Sequence, residues 1–149
     1  MNILTVTLLS QETECGTECA VRFDVDGISL LDQLRSYEER FALREGHPSL
    51  AGSYSWLPAT THTRQSLQLA MSCHRAGAPT ALLECACGVP GCWPMLATIT
   101  YQDATVTWKS FCQPHRDRDS AGGYWDYSAF GPFVFDQAQY ELEISKISP

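Results

Sequence analysis

Three of the seven cysteines fall within eight residues, in Cys85-Ala86-Cys87-Gly88-Val89-Pro90-Gly91-Cys92-Trp93-Pro94. β-type runs flank this stretch: Thr80-Ala81-Leu82-Leu83-Glu84 before it and Met95-Leu96-Ala97-Thr98-Ile99-Thr100-Tyr101 after it. The two glycines and the proline between them supply the backbone conformations that reverse a chain. The segment therefore reads as strand, turn, strand, which carries Cys92 back towards Cys85 and Cys87. If the first strand continues over residues 81–87, those two cysteines lie two apart and point to one face. Three sulfur donors meeting at a turn make a site for a soft metal ion.

Zinc is the expected ion. Structural zinc takes four ligands, and Cys3His is among its common sets. Cys85, Cys87 and Cys92 then need one more donor. His115 is the expected fourth ligand, because the hairpin after the cysteines returns the chain towards the end of the first strand. Cys112 is the reserve. The spacing Cys-x-Cys-x4-Cys differs from the doubled Cys-x2-Cys of zinc ribbons. The competing reading packs these thiols as small hydrophobes, as free cysteine often is. Redox chemistry has a poorer footing, since the chain has no Cys-x-x-Cys pair. A reversible disulfide between Cys87 and Cys92, or one between Cys15 and Cys19 on oxidation, is the form it would take.

The 149 residues, 44% of them hydrophobic, are expected to form one domain over residues 1–149 that needs no disulfide staples. Lys and Arg number 10 against 17 Asp and Glu, a formal charge of -7. That excludes general nucleic-acid binding, which requires cations to replace phosphate counterions, and it suits a basic protein partner. The N-terminal stretch Met1-Asn2-Ile3-Leu4-Thr5-Val6-Thr7 has no basic residue ahead of it and reads as a strand rather than a signal peptide. No run approaches the roughly 20 apolar residues that cross a bilayer, so no membrane role is expected. An odd cysteine count without the dense spacing of secreted scaffolds points to a reducing cytoplasm.

Periodicity sets the elements. Leu4, Val6 and Leu8 alternate with Thr5 and Thr7, and Val21, Phe23 and Val25 with Arg22 and Asp24, as in half-buried strands. The acidic connection over residues 11–19 is too long for a tight turn and is expected to be an exposed loop. Ser29 reads as a helix N-cap with Asp32 as its box partner. Leu31, Leu34, Tyr37 or Glu38, and Phe41 follow on the apolar face, and Gly46 and Pro48 end the helix. Residues 47–64 lack periodicity and read as a loop pinned by Tyr54 and Trp56. Residues 64–71 fit a short helix or a strand equally, and Gly77-Ala78-Pro79 breaks the chain.

Residues 95–101 and 105–111 make the clearest hairpin, joined near Gln102-Asp103-Ala104, with Val106 and Trp108 on one face. Residues 114–123 read as a polar surface loop. Asp136 is expected to cap a final helix with Gln139 as its box partner and Tyr140, Leu142, Ile144 and Ile147 as its apolar residues. The fold expected from these pieces is α+β: a mostly antiparallel sheet of about five or six strands packed with two principal helices.

The second half of the chain resembles a family of small, mostly uncharacterised bacterial proteins. The resemblance rests on the cysteine turn through Trp93-Pro94, on Val106-Thr107-Trp108-Lys109-Ser110-Phe111 and on Gln113-Pro114-His115-Arg116. It continues through Trp125-Asp126-Tyr127 and Phe133-Val134-Phe135-Asp136-Gln137-Ala138-Gln139-Tyr140, and so covers about residues 80–141. It implies a compact bacterial domain and carries no activity with it.

Two functional readings follow. The first is a non-catalytic binding module, zinc-stabilised, of the immunity or inhibitor type. Glu12, Glu14 and Glu18 would meet a basic bacterial protein, with Trp125 and Tyr127 beside the polar loop as aromatic anchors. The rest of the aromatic band, from Trp93 and Trp108 to Phe130, Phe133 and Phe135, is expected in the core. The second is a small metal- or thiol-dependent enzyme using Cys85, Cys87, Cys92 and His115. Four protein ligands would close a structural site, whereas three plus water would leave a catalytic position. His47, His62 and His74 stand apart from any zinc-protease or triad pattern. His115-Arg116-Asp117 lacks the phosphate loop that a kinase reading would need.

Overall fold

The computed structural model describes residues 1–14, 16–68 and 79–147. Alternation near the N-terminus becomes a long antiparallel ladder of β1 (Leu4–Thr13) with β2 (Gly16–Val25), running from the pair Leu4–Val25 to the pair Thr13–Gly16. The stretch expected as an exposed loop over residues 11–19 is thus mostly strand. The cause is the Gln11 side chain, whose amide behaves as a peptide group towards Trp56. It accepts the Trp56 N–H at 3.0 Å and donates to the Trp56 carbonyl at 2.7 Å. A strand extended by polar pairing of this kind leaves no hydrophobic alternation to read.

The two-residue strand β3 (Ile28–Ser29) pairs with β2 and leads into α1 (Leu30–Arg44). Ser29 caps the helix by accepting the Asp32 N–H at 3.2 Å. Leu30, Leu34, Glu38, Phe41 and Ala42 are its buried face. Glu38 rather than Tyr37 is fully buried, a carboxylate in an otherwise apolar stripe.

Residues 47–64 are not a loop. They contain β4 (Tyr54–Pro58) and the start of α2 (Thr61–Leu67), capped by Thr60. β4 sits in the middle of the sheet, yet it makes only two pairs with β2 and three with β5 (Pro79–Cys85). Its buried residues, Tyr54 and Leu57, are three apart, so the period of two is lost. α2 settles residues 64–67 as helix. Residues 69–78, with Gly77, Ala78 and His74, lie outside the described residues.

The expected hairpin is β6 (Met95–Gln102) with β7 (Thr105–Cys112), turning at Asp103 and Ala104, both with left-handed backbone (φ 51° and 61°). Two consecutive left-handed residues give the turn whose twist suits a two-residue hairpin. β8 (Phe133–Asp136) pairs with β7 and feeds α3 (Gln137–Ile144). The strand order is β1-β2-β4-β5-β6-β7-β8 with β3 beside β2, and every ladder is antiparallel. The sheet therefore has eight strands rather than five or six, with three helices among the described residues. The ends of this order meet: Asn2 bridges to Phe135, and its N–H donates to the Val134 carbonyl at 2.7 Å.

α3 seals β1. Asp136 caps it, accepting the Gln139 N–H at 3.0 Å. The Gln139 side chain does not turn back to the cap; it donates to the Leu4 carbonyl at 2.6 Å and accepts the Leu4 N–H at 3.2 Å. One turn later Glu143 accepts the Val6 N–H at 2.8 Å. These side chains occupy edge groups that would otherwise invite another strand. Glu143 is consequently buried, while Leu142, expected in the core, is 65% exposed on the opposite face. Tyr140, Ile144 and Ile147 pack inward as expected.

Trp108 lies at the centre of the core, edge-on to Phe23, Phe135 and Tyr140 at 5.1 to 6.1 Å, and its indole N–H donates to the Tyr140 hydroxyl at 3.2 Å. Among the described residues, no helix is long and apolar enough to cross a membrane.

Candidate metal centre

β5 ends at Cys85, so Cys87 does not belong to the strand. Turn geometry, not strand alternation, brings the cysteines together. The Gly88 N–H donates to the Cys85 carbonyl at 2.9 Å, closing the first reversal, and the Cys92 N–H donates to the Val89 carbonyl at 3.3 Å, closing the second. Gly88 and Gly91 take left-handed backbone (φ 86° and 77°), which glycine adopts without steric cost. Glu84 accepts the Gly91 N–H at 3.1 Å and ties the far side of the turn to the strand.

The Sγ atoms of Cys85, Cys87 and Cys92 all lie within 4.8 Å of one another. Two backbone donors point at sulfur: the Cys87 N–H at Cys85 Sγ, 3.5 Å, and the Val89 N–H at Cys87 Sγ, 3.4 Å. Each spans two residues, so the turn repeats one small motif. The Val89 N–H holds the Cys87 thiol below its ordinary pKa. Burial and the neighbouring sulfurs push Cys85 up to about 11. Three thiols this close cannot all ionise without a cation among them. Such a trio can hold a metal ion. A tetrahedral thiolate site with arms of 2.3 Å has edges of about 3.8 Å, so the sulfurs need move by only about 1 Å to close on one.

The expected fourth ligands are elsewhere. The thiol group includes neither His115 nor Cys112. His115 is exposed, with its ring stacked on Trp93 at 5.7 Å and 8°. Cys112 lines a separate cavity of about 390 Å³ with Phe111, Gln113 and Tyr127, and burial, then the Asp117 charge, pushes its thiol up. Among the described residues no disulfide forms, and Cys19 is an exposed free thiol. Cys15, its supposed oxidation partner, is outside the described residues.

Trp125 and Tyr127, expected as exposed anchors, are buried at 2% and 5% exposure. Both are held by carboxylates seven residues apart, Glu38 within α1 and Glu45 at its C-cap. The Trp125 indole N–H donates to Glu45, and the Tyr127 hydroxyl to Glu38. Trp125 also stacks on Phe41 and Tyr127 on Tyr37. Glu45 additionally takes Arg116, whose guanidinium lies over the rings of Trp93 and Trp125. Burial pushes the Glu45 carboxyl up, but Trp125 and Arg116 outweigh it and hold it below the ordinary range.

Glu12 and Glu14 are exposed and Glu18 is half-buried. Glu18 stands opposite Gln11 in the ladder and receives its amide at 3.0 Å, which puts it on the other face from Glu12. The three acids do not form one patch.

Sequence reasoning missed Thr13, whose side chain lies against the cysteine turn. A Cβ added to Gly88 would meet Thr13 Oγ1 at 2.6 Å. No local signal in either segment announces that contact. No protein-family model, curated protein or solved structure matches this chain.

Proposed function

We propose that the protein is a non-catalytic, metal-stabilised binding module whose cysteine turn holds zinc. The observation that carries this reading is the trio of sulfurs within 4.8 Å, with backbone N–H groups aimed at two of them. Hydrogen bonds to sulfur favour the thiolate, the form that binds metal. All-sulfur donation selects soft or borderline ions, and zinc is the borderline ion that structural thiolate sites take. The turn lies between two neighbouring strands of the sheet, so an ion there would fasten β5 to β6.

The excess of acidic side chains supports a basic protein as the partner, in an inhibitor or immunity type of role. The enzyme reading has less support. His115, which that reading places with the three cysteines, is stacked on Trp93 and stands outside the thiol group.

The test is elemental analysis of reduced protein purified without chelator, on wild type and Cys87→Ser. Near-stoichiometric zinc in wild type, lost together with thermal stability in the variant, is expected. Metal-free, fully stable wild type overturns the proposal.

A further inference from the structure

The cysteine turn has one anchored side and one open side. Cys85 is the last residue of β5 and is held in the sheet by its pairing with Tyr54. Across the turn Val89, Pro90, Gly91 and Cys92 are all exposed, and a Cβ added to Gly91 would meet nothing within 4 Å. Two hydrogen bonds tether this arm, from the Gly91 N–H to Glu84 and from the Cys92 N–H to the Val89 carbonyl. Cys92 thus carries the exposed sulfur of the trio, while those of Cys85 and Cys87 are half-buried.

Cys87 lies past the end of β5, in the turn itself, with its Sγ within 4.8 Å of that of Cys92. An S–S bond is about 2.0 Å long. Closing the gap onto Cys87 moves turn residues alone, whereas Cys85 would have to leave its place beside Tyr54. The missing Cys-x-x-Cys spacing is therefore no obstacle. Two backbone reversals bring the sulfurs together in its stead.

We propose that the turn is also an oxidation site, where hydrogen peroxide links Cys92 to Cys87 and the link expels the metal. The expulsion rests on the metal reading above; the disulfide does not. The exposed Cys92 thiol first takes an oxygen atom from peroxide: the O–O bond breaks, an S–O bond forms, and water leaves. The Cys87 sulfur then attacks the Cys92 sulfur. An S–S bond forms as the S–O bond breaks, and the Cys87 proton departs with the hydroxyl as a second water. Two electrons have passed from two thiols to one peroxide, and a dithiol reverses the step by exchange. Of the three sulfur donors only Cys85 is left, too few for a tetrahedral thiolate site. The fastening of β5 to β6 would then open under oxidant and close on reduction.

The test treats the reduced full-length chain, metal-free and zinc-loaded, with hydrogen peroxide. Free thiols are alkylated, the bridge is located by peptide mapping, and released zinc is read with a chromogenic chelator. A Cys87–Cys92 bridge is expected in the metal-free chain, removed by dithiothreitol. The zinc-loaded chain is expected to lose its zinc as the same bridge forms. Cys87→Ser should instead accumulate a sulfenic acid on Cys92 that dimedone traps, and Cys112→Ser should behave as wild type. The exposed Cys19 thiol is the internal standard for mere accessibility.

Peroxide that oxidises Cys19 while Cys87 and Cys92 stay reduced overturns the proposal and leaves the metal reading standing. A bridge that includes Cys85 overturns the assigned pair. Zinc retained after the bridge has formed overturns the coupling between them. A wild type that takes up no zinc overturns the metal reading, and mapping of the metal-free chain still decides the disulfide.

Discussion

The Glu38 carboxylate, in the middle of α1, accepts the Tyr54 hydroxyl at 2.5 Å across the core. Tyr127 donates to the same oxygen, and the Gly52 N–H donates to the other at 2.9 Å. No cation pairs with Glu38 among the described residues. Burial pushes its carboxyl above the ordinary 4.5, against the pull of the three hydrogen bonds. The folded protein therefore keeps this proton where the unfolded chain has released it. The resulting stabilisation is complete below about pH 4.5 and is lost as pH rises through the folded value. Glu38→Gln has no such dependence. Urea midpoints of wild type are expected to fall relative to the variant as pH rises above about 4.5. Parallel curves would remove Glu38 as the source.

Tyr54→Phe and Tyr127→Phe each withdraw a donor from that buried carboxylate. Each is expected to cost about 1–3 kcal/mol in urea unfolding at neutral pH. A double variant costing less than the sum would report their shared acceptor.

At the β1 edge, Glu143→Ala should leave the Val6 N–H without its acceptor and cost about 1–3 kcal/mol. Its neighbour Leu142 is exposed, so Leu142→Ala is expected to fall within about 0.5 kcal/mol of wild type. Equal losses at both positions would contradict the orientation of α3.

Gly88→Ala adds a Cβ to a left-handed residue and drives it into Thr13. The strained backbone alone should cost about 1–3 kcal/mol. If the turn holds zinc as proposed, zinc content per chain should drop with it, because the turn must move to accept the methyl group. Thr13→Gly in the same chain removes the obstacle and is expected to restore part of the metal.

How much of this could be read from the residues depended on how local each cause was. Ser29 and Asp136 announced their helices because an N-cap bonds three residues on. The hairpin at Asp103 and Ala104 was legible for the same reason. β4 was not, since it rests on short ladders and on the side chain of Gln11, 45 residues away. Trp125 and Tyr127 read as surface anchors because their partners, Glu45 and Glu38, lie 80 and 89 residues back. The cysteine turn was visible in its spacing. Its sulfurs nevertheless meet through two backbone reversals, while strand alternation would have carried Cys87 along β5.

Asn2 meets β8, and Gln139 and Glu143 close hydrogen bonds with Leu4 and Val6 over 135 and 137 residues. A nascent chain still hidden in the ribosome beyond residue 136 has nothing to cover the outer edge of its first strand. Contacts of such sequence separation slow folding, because the loop must close before they form. Until α3 docks, the β1 edge stays open, and a holding chaperone would find its target there.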